Sequence, residues 1–394
     1  MTVEYSATTR GRSTKKKALL VGIGYPNGVE GNGQAVLDPI PTSIPNVKKF
    51  KEFIQDHWDY ADADITVMTD EDGTEERLQP TEDNLMREIR GLCRRAEPGN
   101  RRIFYFSGHS GQLPCRTGTE EDGLDEALIA SNGAKIRDND LHECLVDPLP
   151  QGSALTAIFD CCHSGTLLDL PHHNCNNVCR PWVNKGPRRS RTLQNWNVRR
   201  NCRGTFNRSL SLPRSSVGSG GRFFSLDLAV QTMESSSSVG EDTSLLQGRS
   251  CTSPERLFEC DGWCRSRMEP TSGALPHADV ISISSSGDGQ ISWDASTRDG
   301  DSLSMTTYLV DILKKNPRLT YSQLMTSLNY DVHSFTTKMH GAAHREHDRR
   351  EADRKHGIYE DTVVKEDTGL EMDNFQDLQL GSITPLDMDR IVVL

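Results

Sequence analysis

The sequence of 394 residues contains no apolar run that approaches the roughly 18–20 residues needed to cross a bilayer. Its N-terminal segment is basic, and the apolar run that follows is short and interrupted by glycines. We therefore interpret this segment as a tail followed by a strand, and not as a signal peptide. The pattern predicts a protein without a membrane span.

The cysteines lack the regular spacing of a disulfide framework. There are 11 of them, an odd number, scattered along a long chain. This usage is typical of free thiols in a reducing compartment. We expect a cytoplasmic location, with the nucleus as the alternative.

Acidic residues are absent from residues 170–226, although the chain as a whole carries a formal charge of −11. The same segment holds 11 Lys or Arg, which leaves about −22 on the rest of the chain. An acidic body therefore carries a basic loop. Hydrophobic residues make up only 35% of the chain, which indicates that part of it is not packed into a core.

Elsewhere the apolar periodicity alternates between strand and helix. Short apolar or alternating runs predict strands at 16–25 and 64–70, and a strand followed by a turn at 101–111 and at 152–165, whereas spacings of three and four residues predict helices. The helices are expected at 44–58, 81–96, 302–316 and 320–335, with a short one, polar at its entry, within 136–149. This order favours an α/β fold with a mainly parallel sheet flanked by helices.

Two of the predicted strands end in turns that carry reactive side chains. "IFYFSGHSGQ" (103–112) places His109 just beyond one strand, and "AIFDCCHSGT" (157–166) places Cys162 just beyond another. The carboxyl ends of parallel strands open onto one crevice, so we expect both side chains there. A thiolate is the effective nucleophile, and a histidine can remove the thiol proton and later protonate a leaving amine. The N–H groups of Gly108 and Cys162 would form an oxyanion hole.

The motifs "YFSGHSGQ" and "DCCHSGT", with "KKALLVGIGY" before them and "QLGSITPLDMDRIVVL" at the end, resemble those of type I metacaspases. These are caspase-like cysteine peptidases of fungi, plants and protists. The resemblance implies a caspase-hemoglobinase fold and cleavage after Arg or Lys. It implies a p20-like catalytic part at 16–171 and a p10-like part at 277–394. The remaining segments are a basic tail at 1–15, an Arg/Ser-rich, largely disordered insertion at 172–276, and a charged loop at about 338–367.

The resemblance also implies the catalytic residues. The histidine of the family falls on His109, and its nucleophile falls on Cys162, the cysteine directly before the "HSG" of the motif. The neighbouring Cys161 points to the opposite side of an extended chain, so we interpret it as a packing residue, with a redox or substitute thiol as the alternative. No third residue that orients His109 can be identified, which leaves a Cys-His dyad.

A pocket for a basic substrate side chain needs a buried acid, because the cation loses its hydration there. Asp160 and Ser107 match pocket residues of the family. Asn46 stands where the family has a second aspartate, and Ser43 where it has a cysteine. The resemblance therefore implies specificity for Arg or Lys at P1, with one formal charge fewer in the pocket.

Carboxylates cluster at 120–126 and 137–140, in segments that we expect to be loops. Such clusters are often only solvated, but they also suit Ca²⁺, which prefers several oxygen ligands. The resemblance implies an activating Ca²⁺ site, whose ligands would be Asp125, Asp138, Asn139 and Asp169. Asn139 replaces a carboxylate of the family, which predicts a weakened site, and the neighbouring Asp140 would compensate.

The basic insertion has several readings. A tethered loop rich in arginine could present cleavage sites to the enzyme's own acidic cleft, which predicts self-processing. The candidate sites are Lys185, Arg188, Arg191 and Arg200. His173, Cys175 and Cys179 could hold zinc, but a fourth ligand is not identifiable. Nucleic-acid binding is the weakest reading, because few aromatic residues interleave with the arginines.

We therefore predict a calcium-stimulated cysteine endopeptidase that acts on proteins or peptides with Arg or Lys at P1. It is expected to be a monomer, without nucleic-acid or membrane partners. The alternative is a caspase-like scaffold or regulator without catalysis, for which the departures at Asn46 and Asn139 give the reason. A His/Cys phosphatase or hydrolase is disfavoured, because no phosphate-cradling glycine loop followed by Arg is present.

Overall fold

The computed structural model describes residues 15–31, 34–115, 123–173, 175–176, 178, 278–288, 290, 292, 295–296, 302–355 and 376–394. The predicted basic tail up to residue 14 and the predicted insertion from residue 179 to residue 276 lie outside the described residues. So do the self-processing candidates and Cys179.

The described chain alternates strands and helices, as the periodicity predicts. The strands are β1 (Lys16–Gly22), β2 (Val29–Gly31), β3 (Gln34–Leu37), β4 (Ile65–Thr69), β5 (Arg101–Ser107), β6 (Ser110–Pro114), β7 (Leu124–Ile129), β8 (Lys135–Arg137), β9 (Ala154–Asp160), β10 (Asp279–Ser284), β11 (Ala295–Ser296), β12 (Ser302–Leu303) and β13 (Gln379–Ser382). The α-helices are α1 (Ser43–Trp58), α2 (Glu82–Cys93), α3 (Asp138–Leu145), α4 (Met305–Lys315) and α5 (Tyr321–Lys355). Short 3₁₀ segments occupy Asp62–Asp64 and Glu76–Leu78.

A six-stranded sheet forms the centre, in the order β13-β10-β9-β5-β1-β4. Its neighbouring strands are parallel, except that β13 runs antiparallel to β10. The prediction of a mainly parallel sheet flanked by helices is confirmed, and the arrangement is consistent with a caspase-like fold. Because β5 and β9 are parallel neighbours, the turns that follow them meet at one edge of the sheet.

The two faces of the sheet support separate hydrophobic cores. Side chains alternate across β1, so that Leu19 and Val21 join one core while Ala18 and Leu20 join the other. The first core is completed by α2 and α3, and the second by α1, α4 and α5. A sheet covered on both faces explains why its strands are near-continuous apolar runs.

The predicted loop position of the carboxylate clusters is wrong. Asp125 and Glu126 lie in β7, the middle strand of an antiparallel sheet of order β6-β7-β8. Asp138 and Asn139 begin α3. The clusters look like loops in the sequence because the small sheet is short, and because acidic residues are also favoured in the first turn of a helix.

The charged loop predicted from residue 338 is also wrong as far as residue 355, because α5 continues to Lys355. The segment has no apolar stripe, so periodicity does not reveal it. It is, however, rich in Ala, Glu, Arg and Lys, which have high intrinsic helix propensity. Residues 356–375 lie outside the described part. None of the described helices, α5 included, has the length and hydropathy that a bilayer span requires.

Candidate active site

The two chemically reactive turns lie side by side. Ser107 at the end of β5 pairs in register with Asp160 at the end of β9, and His109 and Cys162 each follow two residues later. The turns are also joined directly, because the hydroxyl of Ser110 donates a hydrogen bond to the carbonyl oxygen of Cys162. The structure therefore brings the predicted base and the predicted nucleophile to the same edge of the sheet.

His109 is held by a main-chain carbonyl that sequence reasoning missed. Its Nε2 lies 2.7 Å from the carbonyl oxygen of Asp38, and its side chain is buried. A carbonyl can only accept, so Nε2 carries the proton and Nδ1 keeps a free lone pair. Burial lowers the pKa of His109, with the Asp38 contact opposing the shift. The ring is therefore neutral near pH 7, with Nδ1 as the basic atom.

Tyr25 is a second neighbour of His109 that the sequence did not reveal. Its hydroxyl accepts a hydrogen bond from the backbone N–H of His109 at 3.0 Å and donates one to the carbonyl of Ile129 at 2.5 Å. The rings of Tyr25 and His109 are 4.7 Å apart between centroids. A tyrosine directly after the "GIG" at the end of β1 was the only available signal, and it is not specific.

Cys162 is half-buried and its sulfur contacts the segment that follows β10. The N–H of Ser292 donates to Sγ at 3.3 Å, and the carbonyl of Ser292 lies 4.0 Å from it. Burial raises the pKa of the Cys162 thiol to about 11, against a smaller opposing effect of the Ser292 N–H. Within the described residues, no hydrogen bond joins Cys162 to His109. The thiol is therefore protonated at neutral pH in this conformation.

Cys161 faces the interior, on the opposite side of the chain from Cys162. It is 2% exposed and belongs to the core on the α2 and α3 side. Burial raises the pKa of the Cys161 thiol well above its ordinary value. Its carbonyl accepts hydrogen bonds from the hydroxyls of Ser285 and Ser286, which fixes the start of the nucleophile turn.

The remainder of that turn is clamped by the segment after β10. The N–H of His163 donates to the carbonyl of Gln290 at 3.0 Å, and the N–H of Thr166 donates to Asp288 Oδ1 at 2.9 Å. Gly165 must be glycine here, because a Cβ would lie 2.7 Å from Asp288 Oδ1. The p10-like part therefore fixes the conformation of the nucleophile turn.

Gly108, one of the two predicted oxyanion donors, also occupies a crowded position. A Cβ on Gly108 would lie 2.9 Å from the ring of Phe106 and 3.0 Å from the hydroxyl of Tyr25. Gly108 directly follows Ser107, the last residue of β5 that pairs with β9.

Two of the predicted pocket residues, Ser107 and Asp160, end the neighbouring strands β5 and β9, and the third, Asn46, lies in the first turn of α1. Ser107, Asn46 and Asp160 are all buried. Asp160 Oδ2 accepts hydrogen bonds from the N–H of Thr306 at 3.0 Å and from its hydroxyl at 2.6 Å, so it caps the start of α4. The hydroxyl of Ser304 lies 3.1 Å from Asn46 Oδ1. Ser304 thus links Asn46 to the acid, through its own hydrogen bond to Asp160.

Two polar atoms at this pocket are buried without any hydrogen-bond partner. They are the hydroxyl oxygen of Ser43 and Nδ2 of Asn46, one turn apart on α1. Burial raises the pKa of Asp160, although the hydrogen bonds from Thr306 and Ser304 lower it again. The predicted pocket residues therefore include one buried carboxyl, beside two polar groups without a partner among the described residues, and such groups favour a polar or cationic ligand.

The four predicted calcium ligands are also brought together. Asn139 Nδ2 lies 3.4 Å from Asp169 Oδ2, and Asp138 accepts hydrogen bonds from the N–H groups of Glu126 and Asn139. Burial, together with the nearby carboxylates of Asp169 and Asp125, raises the pKa of Asp138 to about 7, against the opposing hydrogen bonds from the N–H groups of Asn139 and Glu126. Three acidic groups are therefore close enough to repel one another.

Arg137 is the cation that this acidic cluster holds. It forms an ion pair with Asp125 Oδ2, while Asp125 Oδ1 is buried without a partner. In the described part of the chain, no three His, Cys, Asp or Glu side chains are placed so that they could already hold a metal ion. The oxygen donors and the unsatisfied Asp125 Oδ1 fit Ca²⁺ in chemistry, but the ligands would have to rearrange around it.

The alternative zinc ligands are only partly described. His173 Nδ1 lies 3.1 Å from the carbonyl of Leu170, and Cys175 Sγ lies 3.5 Å from Nδ1 of His172. Cys179 lies outside the described residues. The described contacts place Cys175 beside His172 rather than beside His173.

Comparison with known proteins identifies relatives for most of the chain. Residues 16–171 match the family model described as metacaspase, peptidase C14 domain. A protein named Metacaspase-1 from Pyricularia oryzae is 32% identical over 318 residues, which cover 80% of this chain and 67% of the relative. Metacaspase-1 of Scheffersomyces stipitis is 29% identical over 322 residues, covering 80% of this chain and 67% of the relative.

Another relative matches a shorter stretch of the chain at higher identity. Metacaspase-1 of Mycosarcoma maydis is 40% identical over 161 residues, which cover 40% of this chain and 38% of the relative. The matched residues of this chain cover about two thirds of the length of these relatives. They cover 67% of the Scheffersomyces relative and 63% of the one from Debaryomyces hansenii.

Proposed function

The chain belongs to the metacaspase family of C14 cysteine peptidases, and from this premise we propose that it is a calcium-stimulated endopeptidase that cleaves after Arg or Lys. The observation that carries the proposal is the register of β5 and β9, which pairs Ser107 with Asp160 and so places His109 and Cys162 at adjacent strand ends. A coincidental burial of a histidine and a cysteine would not explain why both follow the paired residues by the same two positions.

The reaction begins with two neutral groups. The raised pKa of Cys162 and the lowered pKa of His109 both disfavour a preformed thiolate–imidazolium pair. Nδ1 of His109 therefore removes the thiol proton as Sγ attacks the scissile carbonyl, a general-base step. The Asp38 carbonyl stabilises the resulting imidazolium through the Nε2 proton.

The tetrahedral oxyanion is then stabilised by the N–H groups of Gly108 and Cys162. A donor of this kind contributes about 3–4 kcal/mol to the stability of the transition state. The imidazolium of His109 protonates the leaving amine, and an acyl-enzyme remains on Cys162. Water, activated by His109, releases the acid product and restores the thiol.

Specificity for Arg or Lys is supported by Asp160. This buried carboxyl lies at the end of the strand that carries Cys162, and the unsatisfied groups of Ser43 and Asn46 are close to the same pocket. A cationic P1 side chain would stabilise the charged form of Asp160. Because Asn46 supplies no charge, the preference for a basic P1 residue rests on one carboxylate.

Calcium stimulation is supported by the cluster of Asp125, Asp138, Asn139 and Asp169, which would hold the ion. Bound there, Ca²⁺ would neutralise mutually repelling carboxylates. Asp169 follows the nucleophile turn closely, and its N–H donates to the carbonyl of Thr166 at 2.7 Å. A change at Asp169 can therefore reach the turn that carries Cys162, whose sulfur must leave Ser292 before it can attack.

The proposal includes a monomeric protein in the cytoplasm that processes itself within its basic insertion. The outer edge of β13 is covered at Ser382, because the backbones of His172 and Ser382 exchange hydrogen bonds at 3.1 and 3.3 Å. An occupied edge disfavours strand-to-strand dimerisation. Four cysteines of the described residues, Cys93, Cys144, Cys161 and Cys162, are free thiols, in keeping with a reducing compartment.

A second function, a scaffold or regulator without catalysis, is favoured by one observation. The sulfur of Cys162 is occupied by the backbone of Ser292, and His109 is hydrogen-bonded elsewhere. If this arrangement is permanent, the site does no chemistry.

Active-site titration separates the two functions. A thiol-reactive, Arg-containing substrate analogue is incubated with the protein with and without Ca²⁺, and the labelled cysteine is identified by mass spectrometry. The peptidase proposal expects labelling of Cys162 that increases with Ca²⁺ and is lost in Cys162→Ala. Labelling of Cys162 in neither condition would establish the scaffold instead.

A further inference from the structure

Tyr25 has a backbone conformation that side chains rarely adopt. Its φ of 47° lies in the left-handed region, which strongly favours glycine and is unusual for an aromatic residue. Such a conformation persists only where the surroundings enforce it, and it is most frequent at functional sites. The contacts of the neighbouring strand end enforce this conformation of Tyr25.

Asp70, directly after β4, is the residue that holds the turn. Its Oδ1 accepts a hydrogen bond from the N–H of Gly24 at 2.7 Å, and its Oδ2 accepts one from the N–H of Tyr25 at 2.7 Å. A carboxylate that receives two successive backbone N–H groups fixes both peptide planes. The backbone at Tyr25 is therefore determined by an acid on the neighbouring strand.

The side chain of Tyr25 passes this constraint to His109. The Tyr25 hydroxyl is fully used, since it accepts from the His109 N–H and donates to the Ile129 carbonyl. The two rings pack at 4.7 Å with a tilt of 44°. The Tyr25 hydroxyl lies close to where a Cβ of Gly108 would be, so it also restricts the residue before His109.

The segment between β1 and α1 thus contacts His109 at two points. Tyr25 holds its backbone and one face of its ring, and Asp38 holds Nε2. Both contacts leave Nδ1 as the unsatisfied atom. A small backbone shift of His109 would move Nδ1 away from the path to Cys162, although neither Tyr25 nor Asp70 touches the reacting atoms.

We propose that Tyr25, locked by Asp70, is a positioning residue that fixes the orientation and the low solvation of His109. This inference rests on the proposed peptidase function for its kinetic consequence, but it also makes a claim about His109 that does not depend on activity. The Tyr25 hydroxyl orders the His109 backbone, and the Tyr25 ring excludes water from one face of the imidazole.

The test uses Tyr25→Phe and Asp70→Asn in the full-length chain. Tyr25→Phe removes only the hydroxyl, and Asp70→Asn leaves that hydroxyl but presents an N–H group to the turn. Tyr321→Phe is the matched control. Tyr321 is another buried tyrosine, at the start of α5, whose hydroxyl accepts hydrogen bonds from Arg390 and from the backbone of Val393.

The kinetic readout is the pH profile of peptide hydrolysis. Tyr25→Phe is expected to lower kcat by roughly 10- to 100-fold, the size of effect that follows from a misplaced catalytic group, with little change in KM. The acid limb of kcat/KM should move up toward 6.5, the ordinary pKa of histidine, because a ring without the hydroxyl's two hydrogen bonds packs less closely on the imidazole and lets water reach it. Asp70→Asn should also lower kcat and move the acid limb of kcat/KM up. The kcat of the double variant should be no lower than that of the more damaging single variant.

The second readout is independent of activity. In Cys162→Ala protein with labelled histidines, the His109 signal is identified by its loss in His109→Gln, and its pKa is measured by NMR titration. The pKa of His109 should rise in Tyr25→Phe and in Asp70→Asn but not in Tyr321→Phe. An unchanged His109 pKa in both variants, or a kcat loss no greater than that of Tyr321→Phe, would overturn the proposal.

The two readouts also separate this inference from the peptidase function. If the wild-type protein cleaves no peptide but the His109 pKa responds to Tyr25→Phe, the proposed function fails and the positioning role stands. If peptide cleavage is normal in Tyr25→Phe and the pKa is unmoved, only the positioning role fails. Should Tyr25→Phe not fold, Asp70→Asn carries the same comparison.

Discussion

Burial shifts the pKa values of the two reactive side chains in opposite directions, and both shifts favour the neutral form. It lowers the pKa of His109, which favours the neutral imidazole, and it raises the pKa of Cys162, which favours the neutral thiol. The proton therefore stays on sulfur until a substrate is in place. A thiol kept in this form is protected from adventitious alkylation and oxidation.

This protonation state predicts slow labelling of Cys162 in calcium-free protein. Below a thiol pKa of about 11, the thiolate fraction grows about tenfold per pH unit, so the rate of reaction with iodoacetamide should rise steadily between pH 7 and pH 10. The rate is taken from mass spectrometry of the Cys162 peptide, with His109→Gln as a comparison that should change it little. A rate that reaches its plateau by pH 8 would show that the thiolate is already formed.

The ion pair of Arg137 with Asp125 leads to a prediction about calcium binding. Its guanidinium pairs with Asp125, and its side chain is 20% exposed, so it can turn toward solvent when a divalent cation replaces it. Arg137→Gln removes this internal competitor and should tighten Ca²⁺ binding by about 5- to 150-fold, the usual range of a coupling between two sites. Calorimetric titration of Cys162→Ala protein with Ca²⁺ measures the change.

The matched control for Arg137→Gln is Arg77→Gln, which removes the same charge from an exposed ion pair with Glu75. Arg77→Gln should leave the dissociation constant for Ca²⁺ unchanged. Equal or weaker binding in Arg137→Gln would mean that the guanidinium does not compete with the ion. Absence of binding in the wild-type protein would refute the calcium site itself.

At the scale of elements, three of them converge on the substrate pocket. Asn46 belongs to α1, Asp160 ends β9, and Ser304 caps the N-terminus of α4 with its hydroxyl, which accepts from the N–H of Thr307. The predicted pocket therefore combines residues from before and after the insertion. A pocket of this kind cannot be read from any one segment of the sequence.

This convergence predicts the behaviour of Asn46→Asp. A second buried carboxylate near Asp160 should destabilise the free protein by about 1–3 kcal/mol, because a buried charge without a partner is costly. An Arg-containing inhibitor supplies the missing cation, so it should raise the melting temperature of Asn46→Asp more than that of the wild type. Thermal unfolding with and without the inhibitor measures both effects.

Asn46→Leu is the control for that comparison, because it removes the polar group without adding charge. Asn46→Leu should be stable without the inhibitor, and the inhibitor should raise its melting temperature less than that of the wild type. If the inhibitor raises the melting temperature of Asn46→Asp no more than that of Asn46→Leu, Asn46 lies outside the pocket.

The elements also show what the sequence could and could not predict. The strands β1, β5 and β9 were predictable, because strands buried on both faces are continuous apolar runs. The charged half of α5 was not, because propensity without an apolar stripe gives no periodic signal. The strand β7 was hidden because its acidic residues face a buried cluster, where a pattern based on hydrophobicity fails.

The same division applies to the candidate site. His109 and Cys162 were predictable because both the residue types and the strand-end turns are specific. The carbonyl of Asp38 was not, because every residue offers a carbonyl and only the fold selects one. Tyr25 and Ser292 reach the site through contacts between distant segments, which no local pattern records.

At the scale of the whole molecule, the insertion separates two parts that remain one folded unit. β10 follows the insertion and pairs in parallel with β9, in register from Asp279 with Ala154 to Ser284 with Phe159. Both hydrophobic cores contain residues from before and after the insertion. Cleavage within it would break the chain but not this packing.

We therefore predict that the two parts stay together after cleavage. Cys162→Ala protein, treated briefly with trypsin so that the arginine-rich insertion is cut, should yield two large fragments on a denaturing gel. The same sample should elute as a single species in gel filtration under native conditions. Elution of the fragments as separate species would show that the insertion, and not the β9–β10 contact, holds the parts together.

The central claim is that Cys162 and His109 form a peptidase site for basic substrates, and peptide hydrolysis tests it most directly. Otherwise identical fluorogenic peptides that end in Arg, Lys or Asp are incubated with wild-type, Cys162→Ala and His109→Gln protein at increasing Ca²⁺ concentrations. The account predicts Ca²⁺-dependent hydrolysis of the Arg and Lys peptides by the wild type alone. Hydrolysis that persists in Cys162→Ala, or a preference for the Asp peptide, would contradict it.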